Sequence, residues 1–277
     1  PDVTEPSDLP FLPFSRPSLS AEAIAEVVDC LESGWITTGP RTARFEAALA
    51  DYLGAPHVAC LSSATAGLHL ALAALDLQPG DEVITTPLTF AASLNTIVHA
   101  GGRPVLADID PATLNIDLAA VEKAVGPKTR AIMPVHLGGR VCDMHRIGEL
   151  AQAHGLLVIE DAAQAFGSKF QDRAAGSFGT VGCFSTHPAK NLNGVGDGGF
   201  VATADAAIAD RIRRLRSHGT TPSGVVEFGF VSRLDNVQAS VLLMRLERLP
   251  SVEARRRRNA DLYLRLLQDS PVRAVPE

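Results

Sequence analysis

Short apolar runs alternate with amphipathic stretches along most of the chain. The apolar runs have the length and composition of buried strands and cover residues 57–61, 82–86, 104–108, 130–135 and 156–160. Stretches with apolar positions at helical spacing separate them and cover residues 65–75, 91–100, 118–124 and 143–154. This alternation predicts right-handed crossovers and a mostly parallel sheet with helices on both faces, which is a three-layer α/β/α fold.

The pattern changes before this alternation begins. Residues 1–20 contain several prolines and are predicted to be irregular. Ser20 is suited to cap a helix that stops at Gly34. Pro40 begins a second helix, because proline is tolerated at the first helical position, and Gly54 follows the end of that helix.

The last third of the chain predicts further elements and a domain boundary. An apolar run covers residues 181–185, a strand 199–203, a helix 206–217, a loop 219–229, and two more helices 234–249 and 251–268. Pro250 is predicted to separate these last two helices, since proline removes a helical hydrogen bond and clashes with the preceding turn. We therefore expect a large domain at residues 21–249 and the start of a small C-terminal domain, largely missing, at residues 250–277.

Bulk properties exclude several classes of protein. The 277 residues are 46% hydrophobic and 20% charged, as is ordinary for a globular domain. A net charge of −6 argues against nucleic-acid binding, which relies on a broad cationic face. No apolar stretch is long enough to span a membrane, and no signal pattern opens the chain. The four cysteines are scattered, so we expect buried free thiols, no metal site and a cytoplasmic enzyme.

One acid and one lysine indicate a cofactor. Asp161 ends the apolar run of the last central strand, and Lys190 precedes a glycine-rich turn at residues 194–199. A pyridoxal 5′-phosphate (PLP) site requires a lysine that forms a Schiff base and a carboxylate that pairs with the pyridinium nitrogen. Ligands of parallel sheets bind beyond the carboxyl ends of the strands, which is where Asp161 lies. The alternatives are a solvated surface lysine and a structural arginine as the partner of Asp161.

Further motifs lie at the ends of the predicted strands. Residues 61–67 open a helix whose N-terminus, with the Thr65 hydroxyl, can bind an anion, although a simple helix cap also explains them. Ser185 can supply another phosphate donor, and Gln164 can reach the ring oxygen of the same cofactor. Phe90 can stack on the cofactor ring, but a phenylalanine at such a place is more often part of the core. Their order and shared location make the set specific.

The motifs together resemble those of the DegT-like sugar aminotransferases, which are fold-type-I PLP-dependent enzymes. The matching stretches are residues 34–40, 63–68, 87–90, 160–164, 176–179, 184–199, 217–219 and 232–239. They cover nearly the whole chain in the order of the family. The resemblance implies a large domain with a mainly parallel seven-stranded sheet, a small C-terminal domain, and a homodimer whose active sites draw residues from both subunits.

The resemblance also assigns roles to individual residues. It implies that Lys190 forms the Schiff base and shuttles protons, and that Asp161 pairs with the pyridine nitrogen. It implies that Gln164 bonds the ring oxygen and that Phe90 stacks on the ring. The implied cofactor-binding residues are Ala64, Thr65, Phe90, Asp161, Gln164, Ser185 and Lys190. The resemblance implies that Ala64, Thr65 and Ser185 hold the phosphate of the cofactor.

Three departures from the family pattern bear on this assignment. Ala64 replaces a usual glycine in the phosphate loop. Val231 stands where many members have an asparagine that reaches the phosphate of the partner subunit, and Ser232 beside it is a possible substitute. Members of the family continue beyond residue 277, so we expect weak or absent activity from the chain as it stands.

The function implied by the resemblance is transfer of an amino group from an amino acid such as glutamate to a nucleotide-linked keto-sugar. One alternative is a sugar dehydratase of the same family, dependent on PLP or on pyridoxamine phosphate (PMP). Dehydratase relatives replace the lysine with histidine, so Lys190 argues against it. A second alternative is a PLP-binding protein with impaired catalysis, which the shortened chain and Val231 favour.

Overall fold

A computed structural model of the protein describes residue 11 and residues 18–271. Most of the segment predicted to be irregular, residues 1–20, lies outside the described residues. Residues 272–277, at the end of the predicted small domain, also lie outside them. Within the described part, helices and strands follow one another in the predicted alternating order.

The predicted central strands and helices are confirmed, with small shifts at their ends. The α-helices of the described residues are α1 (Ala21–Glu32), α2 (Pro40–Leu53), α3 (Ala64–Ala74), α4 (Ala92–His99), α5 (Leu118–Ala124), α6 (Met144–His154), α7 (Ala206–Leu215) and α8 (Asn236–Leu266). The strands of the main sheet are β1 (His57–Leu61), β2 (Glu82–Thr85), β3 (Arg103–Leu106), β4 (Thr129–Ile132), β5 (Leu157–Asp161), β6 (Val181–Ser185) and β7 (Gly199–Thr203).

These seven strands form one sheet in the order β1-β7-β6-β5-β4-β2-β3. Strand β7 runs antiparallel to both of its neighbours, and all other pairs are parallel. The mainly parallel sheet expected from the alternating pattern is therefore confirmed. Strands β4, β5 and β6 are parallel neighbours, so their carboxyl ends point to the same edge of the sheet.

Helices cover both faces of the sheet, and the alternation of side chains along each strand separates two sets of core residues. On β1, Val58 and Cys60 pack on the face covered by α2 and α8, whereas Ala59 and Leu61 pack on the face covered by α3 and α7. The helices α5 and α6 cover the far part of the first face, over β2, β4 and β5. The three-layer architecture is thus confirmed.

Local sequence signals account for the ends of the first two helices. The Ser20 hydroxyl accepts a hydrogen bond from the Ala23 amide at 3.3 Å and caps α1, as predicted. Pro40 is the first residue of α2, where its missing N–H is not needed. Gly54 ends α2 in the left-handed conformation at φ 63°, which glycine adopts without steric penalty.

The predicted break at Pro250 is wrong, because α8 continues through the proline as one helix. Contacts made by residues before and after the proline keep the helix continuous. Leu249 before it is 1% exposed in the core, and Glu253 after it accepts a hydrogen bond from the Tyr52 hydroxyl at 3.0 Å. These contacts offset the loss of one helical hydrogen bond. The predicted domain boundary therefore falls inside α8, and the division into two domains stays a prediction.

Two short hairpins were not predicted. The loop predicted at residues 219–229 contains strands Thr220–Thr221 and Gly224–Val225, and a second hairpin pairs Lys169–Phe170 with Arg173–Ala174. Each strand has only two residues, too few to produce an alternating pattern in the sequence.

The cysteine prediction is confirmed, since all four thiols are free and buried. Among the described residues, no helix has the length and apolar character needed to cross a membrane. The same part of the chain holds no group of three or more His, Cys, Asp or Glu side chains arranged to bind a metal ion.

Candidate active site

A cavity of about 420 Å³ lies where the carboxyl ends of β5 and β6 meet the N-terminal ends of α3 and α4. All seven residues predicted to bind a cofactor line it: Ala64, Thr65, Phe90, Asp161, Gln164, Ser185 and Lys190. The fold thus brings together side chains from four separate segments of the chain. Their individual roles stay predictions, but their common location fits the site that the sequence predicted.

Asp161 is a buried carboxylate at the end of β5, with 5% of its surface exposed. Its Oδ2 accepts a hydrogen bond from the Ser93 hydroxyl at 2.7 Å, and its Oδ1 accepts one from the Ala163 amide at 3.2 Å. Burial raises the pKa of Asp161, while these two hydrogen bonds and the nearby charges of His136 and Lys190 lower it. The carboxylate therefore lies in a site that favours a cationic partner.

No described arginine, lysine or histidine forms an ion pair with Asp161, so a structural arginine does not explain this buried acid. A buried carboxylate without a cation is costly, whereas a protonated pyridine nitrogen placed in the cavity would neutralise it. The Asp161 carboxylate therefore fits the pyridine nitrogen of PLP.

Lys190 lines the same cavity from the loop that follows β6. It is half-buried, whereas Lys123, Lys128 and Lys169 are exposed. Burial lowers the pKa of Lys190, and the charge of Asp161 acts in the opposite direction. A surface lysine would not have this environment, so the structure favours the cofactor hypothesis over the solvated alternative.

The N-terminus of α3 forms one end of the cavity. Ser63 caps the helix by accepting a hydrogen bond from the Ala66 amide at 3.0 Å, so the cap interpretation is correct for this residue. Ala64 and Thr65 remain available at the cavity wall, where the helix N-terminus favours an anion. Gly199 of β7 explains part of the glycine-rich turn, because a Cβ there would lie 2.5 Å from the Ala64 amide nitrogen.

Phe90 and Gln164 line the cavity from two separate loops. Phe90 is 74% exposed, so it is not a core residue and its ring is free to cover a ligand. The Oε1 of Gln164 accepts a hydrogen bond from the Gly138 amide at 2.7 Å. Because the side-chain oxygen is engaged, the NH₂ group is the part of Gln164 left to donate towards the cavity.

Ser93 was not identified from the sequence as a functional residue. It lies three residues after Phe90 in the first turn of α4, and its side chain contacts Asp161. Helical spacing within the predicted helix at residues 91–100 places it on the side facing the sheet, so this signal was available.

Glu160 was also missed, although it precedes Asp161 in a buried strand. It points to the opposite face of the sheet and is fully buried. Its carboxylate accepts hydrogen bonds from the amides of Gly176 at 2.7 Å, Phe178 at 2.7 Å and Gly179, and contacts His136 Nε2 at 2.9 Å. One acid thus fixes the turn before β6 and the segment after β4.

Replacing Glu160 with alanine should destabilise the fold by at least about 3 kcal/mol, because the buried Gly176 amide and the buried His136 ring lose a charged acceptor. Urea unfolding followed by circular dichroism measures the free energy of unfolding. Glu149→Ala, at an exposed position of α6, is the matched control and should change it by less than about 0.5 kcal/mol. Equal effects of the two substitutions would contradict the structural role of Glu160.

Fold and cavity together indicate a class, namely an α/β enzyme with a cavity at the sheet edge whose lining residues fit PLP. The family model of the DegT/DnrJ/EryC1/StrS aminotransferase family matches residues 17–277, and the chain belongs to this family. It is therefore a PLP-dependent aminotransferase, and the resemblance seen in the sequence motifs is confirmed.

A relative in sequence and two solved structures support this assignment. The chain is 43% identical over 279 residues to the spore coat polysaccharide biosynthesis protein SpsC of Bacillus subtilis (strain 168), covering 96% of this chain and 72% of SpsC. It matches S. venezuelae DesV, solved in complex with a ketimine intermediate, with a TM-score of 0.88, 41% identity, and coverage of 91% of this chain and 68% of DesV. Helicobacter pylori PseC, an aminotransferase involved in the biosynthesis of pseudoaminic acid, matches with a TM-score of 0.89, 32% identity, and coverage of 94% and 71% respectively.

Proposed function

We propose that this aminotransferase moves an amino group from an amino acid, with glutamate as the first candidate, to a keto-sugar carried by a nucleotide. The observation that carries the proposal is the buried carboxylate of Asp161, which has no ion-pair partner among the described residues and faces the same cavity as the half-buried Lys190. The relatives support a sugar as acceptor, since SpsC is named for polysaccharide biosynthesis and PseC for pseudoaminic acid biosynthesis.

The cavity residues would hold PLP by complementary contacts. Asp161 would pair with the ring nitrogen, and the NH₂ group of Gln164 would donate to the ring oxygen. Phe90 would lie against the ring face, where its exposed side chain is free to stack. The residues that would bind the phosphate are Ala64, Thr65 and Ser185, at the start of α3 and the end of β6.

When bound, PLP supplies an electron sink for the negative charge that develops at the α-carbon of the amino acid. Asp161 would keep the ring nitrogen protonated, and its own ionised form is favoured by the hydroxyl of Ser93. The Nζ of Lys190 would remove the proton from the α-carbon of the donor. Burial lowers the pKa of Lys190, which increases the neutral fraction able to accept that proton.

We also propose that the enzyme works as a homodimer in the cytoplasm. Residues 225–231 support the dimer, because this segment exposes Val225, Val226, Phe228 and Val231, and contiguous exposed apolar side chains are typical of interfaces. The four free, buried cysteines support a reducing compartment.

A titration with three successive additions tests the proposed reaction. Adding PLP to the purified protein should produce a visible absorbance band at a stoichiometry of about one per chain, because Lys190 binds the cofactor covalently. Adding glutamate should then replace this band with that of PMP and release 2-oxoglutarate. A nucleotide-linked keto-sugar added to the PMP-loaded protein should restore the band. A PLP band that no amino acid changes would contradict the proposed aminotransfer.

A further inference from the structure

Two hydroxyl groups, that of the half-buried Thr89 and that of the buried Ser93, connect the segment that carries Phe90 to the Asp161 carboxylate. Ser93, fully buried in the first turn of α4, places its Oγ 2.7 Å from Oδ2 of Asp161. The Thr89 Oγ1 lies 2.8 Å from the same Ser93 oxygen. The Phe90 carbonyl, at 3.4 Å, is a more distant acceptor for the Ser93 hydroxyl. The three side chains therefore form a continuous hydrogen-bonded line from the cavity wall to the acid.

The direction of these hydrogen bonds depends on the charge of Asp161. An ionised carboxylate only accepts hydrogen bonds, and a hydroxyl has one proton to donate. With Asp161 ionised, Ser93 must donate to the carboxylate and must accept from Thr89. With Asp161 protonated, Ser93 no longer has to donate to the carboxyl group, and its hydroxyl can donate to the Phe90 carbonyl instead. The ionised form of Asp161 therefore fixes the direction of both hydrogen bonds, and these hydrogen bonds in turn stabilise the ionised form.

We propose that Ser93 is a positioning residue that holds Asp161 ionised and oriented for the cofactor ring nitrogen, and that Thr89 orients Ser93. This inference rests on the proposed function of Asp161. Ser93 does not line the cavity, so it acts through the carboxylate and not by touching a ligand.

The other groups around Asp161 do not replace this interaction. Burial raises the pKa of Asp161, and the Ser93 hydrogen bond is the strongest influence that lowers it. The Ala163 amide and the charges of His136 and Lys190 act in the same direction but more weakly. On the neighbouring strand β6, Cys183 stays a neutral thiol because burial raises its pKa well above the usual range. Removing the serine hydroxyl should therefore leave Asp161 harder to ionise.

The test is the pH dependence of the PLP dissociation constant for the wild-type protein and Ser93→Ala. A plot of affinity against pH bends at the pKa of each group of the free protein whose ionisation binding requires, and the bends due to free PLP are common to all variants. Ser93→Ala should move the bend due to Asp161 upwards by about one to two pH units, because one hydrogen bond to a charged group is lost. Affinity at a pH below the bend should fall about tenfold for every pH unit by which the bend moves.

Thr96→Ala is the matched control. Thr96 is a fully buried hydroxyl of the same helix that donates to the Ala92 carbonyl at 2.9 Å, without contact to Asp161. It should leave the bend at the wild-type pH. Thr89→Val, which keeps the shape of the side chain, gives a second test independent of the folding of Ser93→Ala and should shift the bend in the same direction by less.

The outcomes separate the inference from the function on which it rests. A Ser93→Ala protein that binds PLP with an unmoved bend, or with an affinity lowered equally at every pH, would show a packing role only and overturn the inference. A wild-type protein that binds no PLP would overturn the proposed function and, with it, the inference. A shifted bend in both Ser93→Ala and Thr89→Val, and none in Thr96→Ala, supports it.

Discussion

Replacing Lys190 with alanine should abolish the visible absorbance band that wild-type protein develops with PLP. The side chain is the one half-buried lysine among the described residues and lines the candidate cavity, so no other amine in this region can bind the cofactor covalently. Loss of the base that takes the donor proton should slow reaction with glutamate by about 10²–10⁴-fold. Absorbance spectra and single-turnover kinetics of the PLP-loaded protein measure the two effects.

Lys169→Ala is the control for this substitution. Lys169 is exposed on a short hairpin and does not line the cavity, so its loss should leave both the band and the rate at wild-type values. A Lys190→Ala protein that retains the band would remove the central assignment of the site. PLP added to this variant should still bind without covalent attachment, because the contacts to the ring and phosphate remain.

Replacing Asp161 with asparagine should weaken PLP binding by at least about 30-fold, the effect of about 2 kcal/mol for a buried charge pair that loses one partner. The amide keeps the size of the side chain and can still accept from Ser93, but it no longer favours a protonated ring nitrogen. Reaction with glutamate should slow by a further factor of about 10²–10³, since the developing negative charge loses its main electrostatic support. Equilibrium titration and single-turnover kinetics separate binding from reaction.

Asp51→Asn, at an exposed position of α2, is the matched control and should change neither quantity. The observation that would contradict the role of Asp161 is an Asp161→Asn protein with wild-type affinity and rate. A variant weakened in affinity but with an unchanged rate would assign Asp161 to binding alone.

The spacing of apolar residues, together with the glycine, proline and capping residues that limit each element, was sufficient to predict most of the fold. The helix α5 and the strands β1 and β7 have the predicted bounds, because each combines an apolar pattern with clear polar or glycine limits. The common location of Asp161 and Lys190 was predictable for a related reason: Asp161 ends β5 and Lys190 follows β6, and a parallel sheet brings the carboxyl ends of such strands to one edge.

The features that were missed depend on contacts between distant segments. Pro250 lies inside α8 because Leu249 and Glu253 hold the helix on both sides, which no local pattern reveals. Glu160 looked like an ordinary neighbour of Asp161, although its partners come from the turn before β6 and the segment after β4. Ser93 acts through a single hydroxyl, and its partner lies far along the chain.

The position of β7 determines when, during folding, the candidate phosphate-binding wall of the cavity is complete. His57 at the start of β1 pairs with Thr203 of β7, and Gly199 of β7 packs against the first residue of α3. The wall that would hold the phosphate is therefore complete only after segments far apart in the chain have paired. Such long-range pairing is slow compared with local structure formation. A chain in which β7 has not yet paired with β1 lacks this wall, so we expect it to bind PLP more weakly than the folded protein.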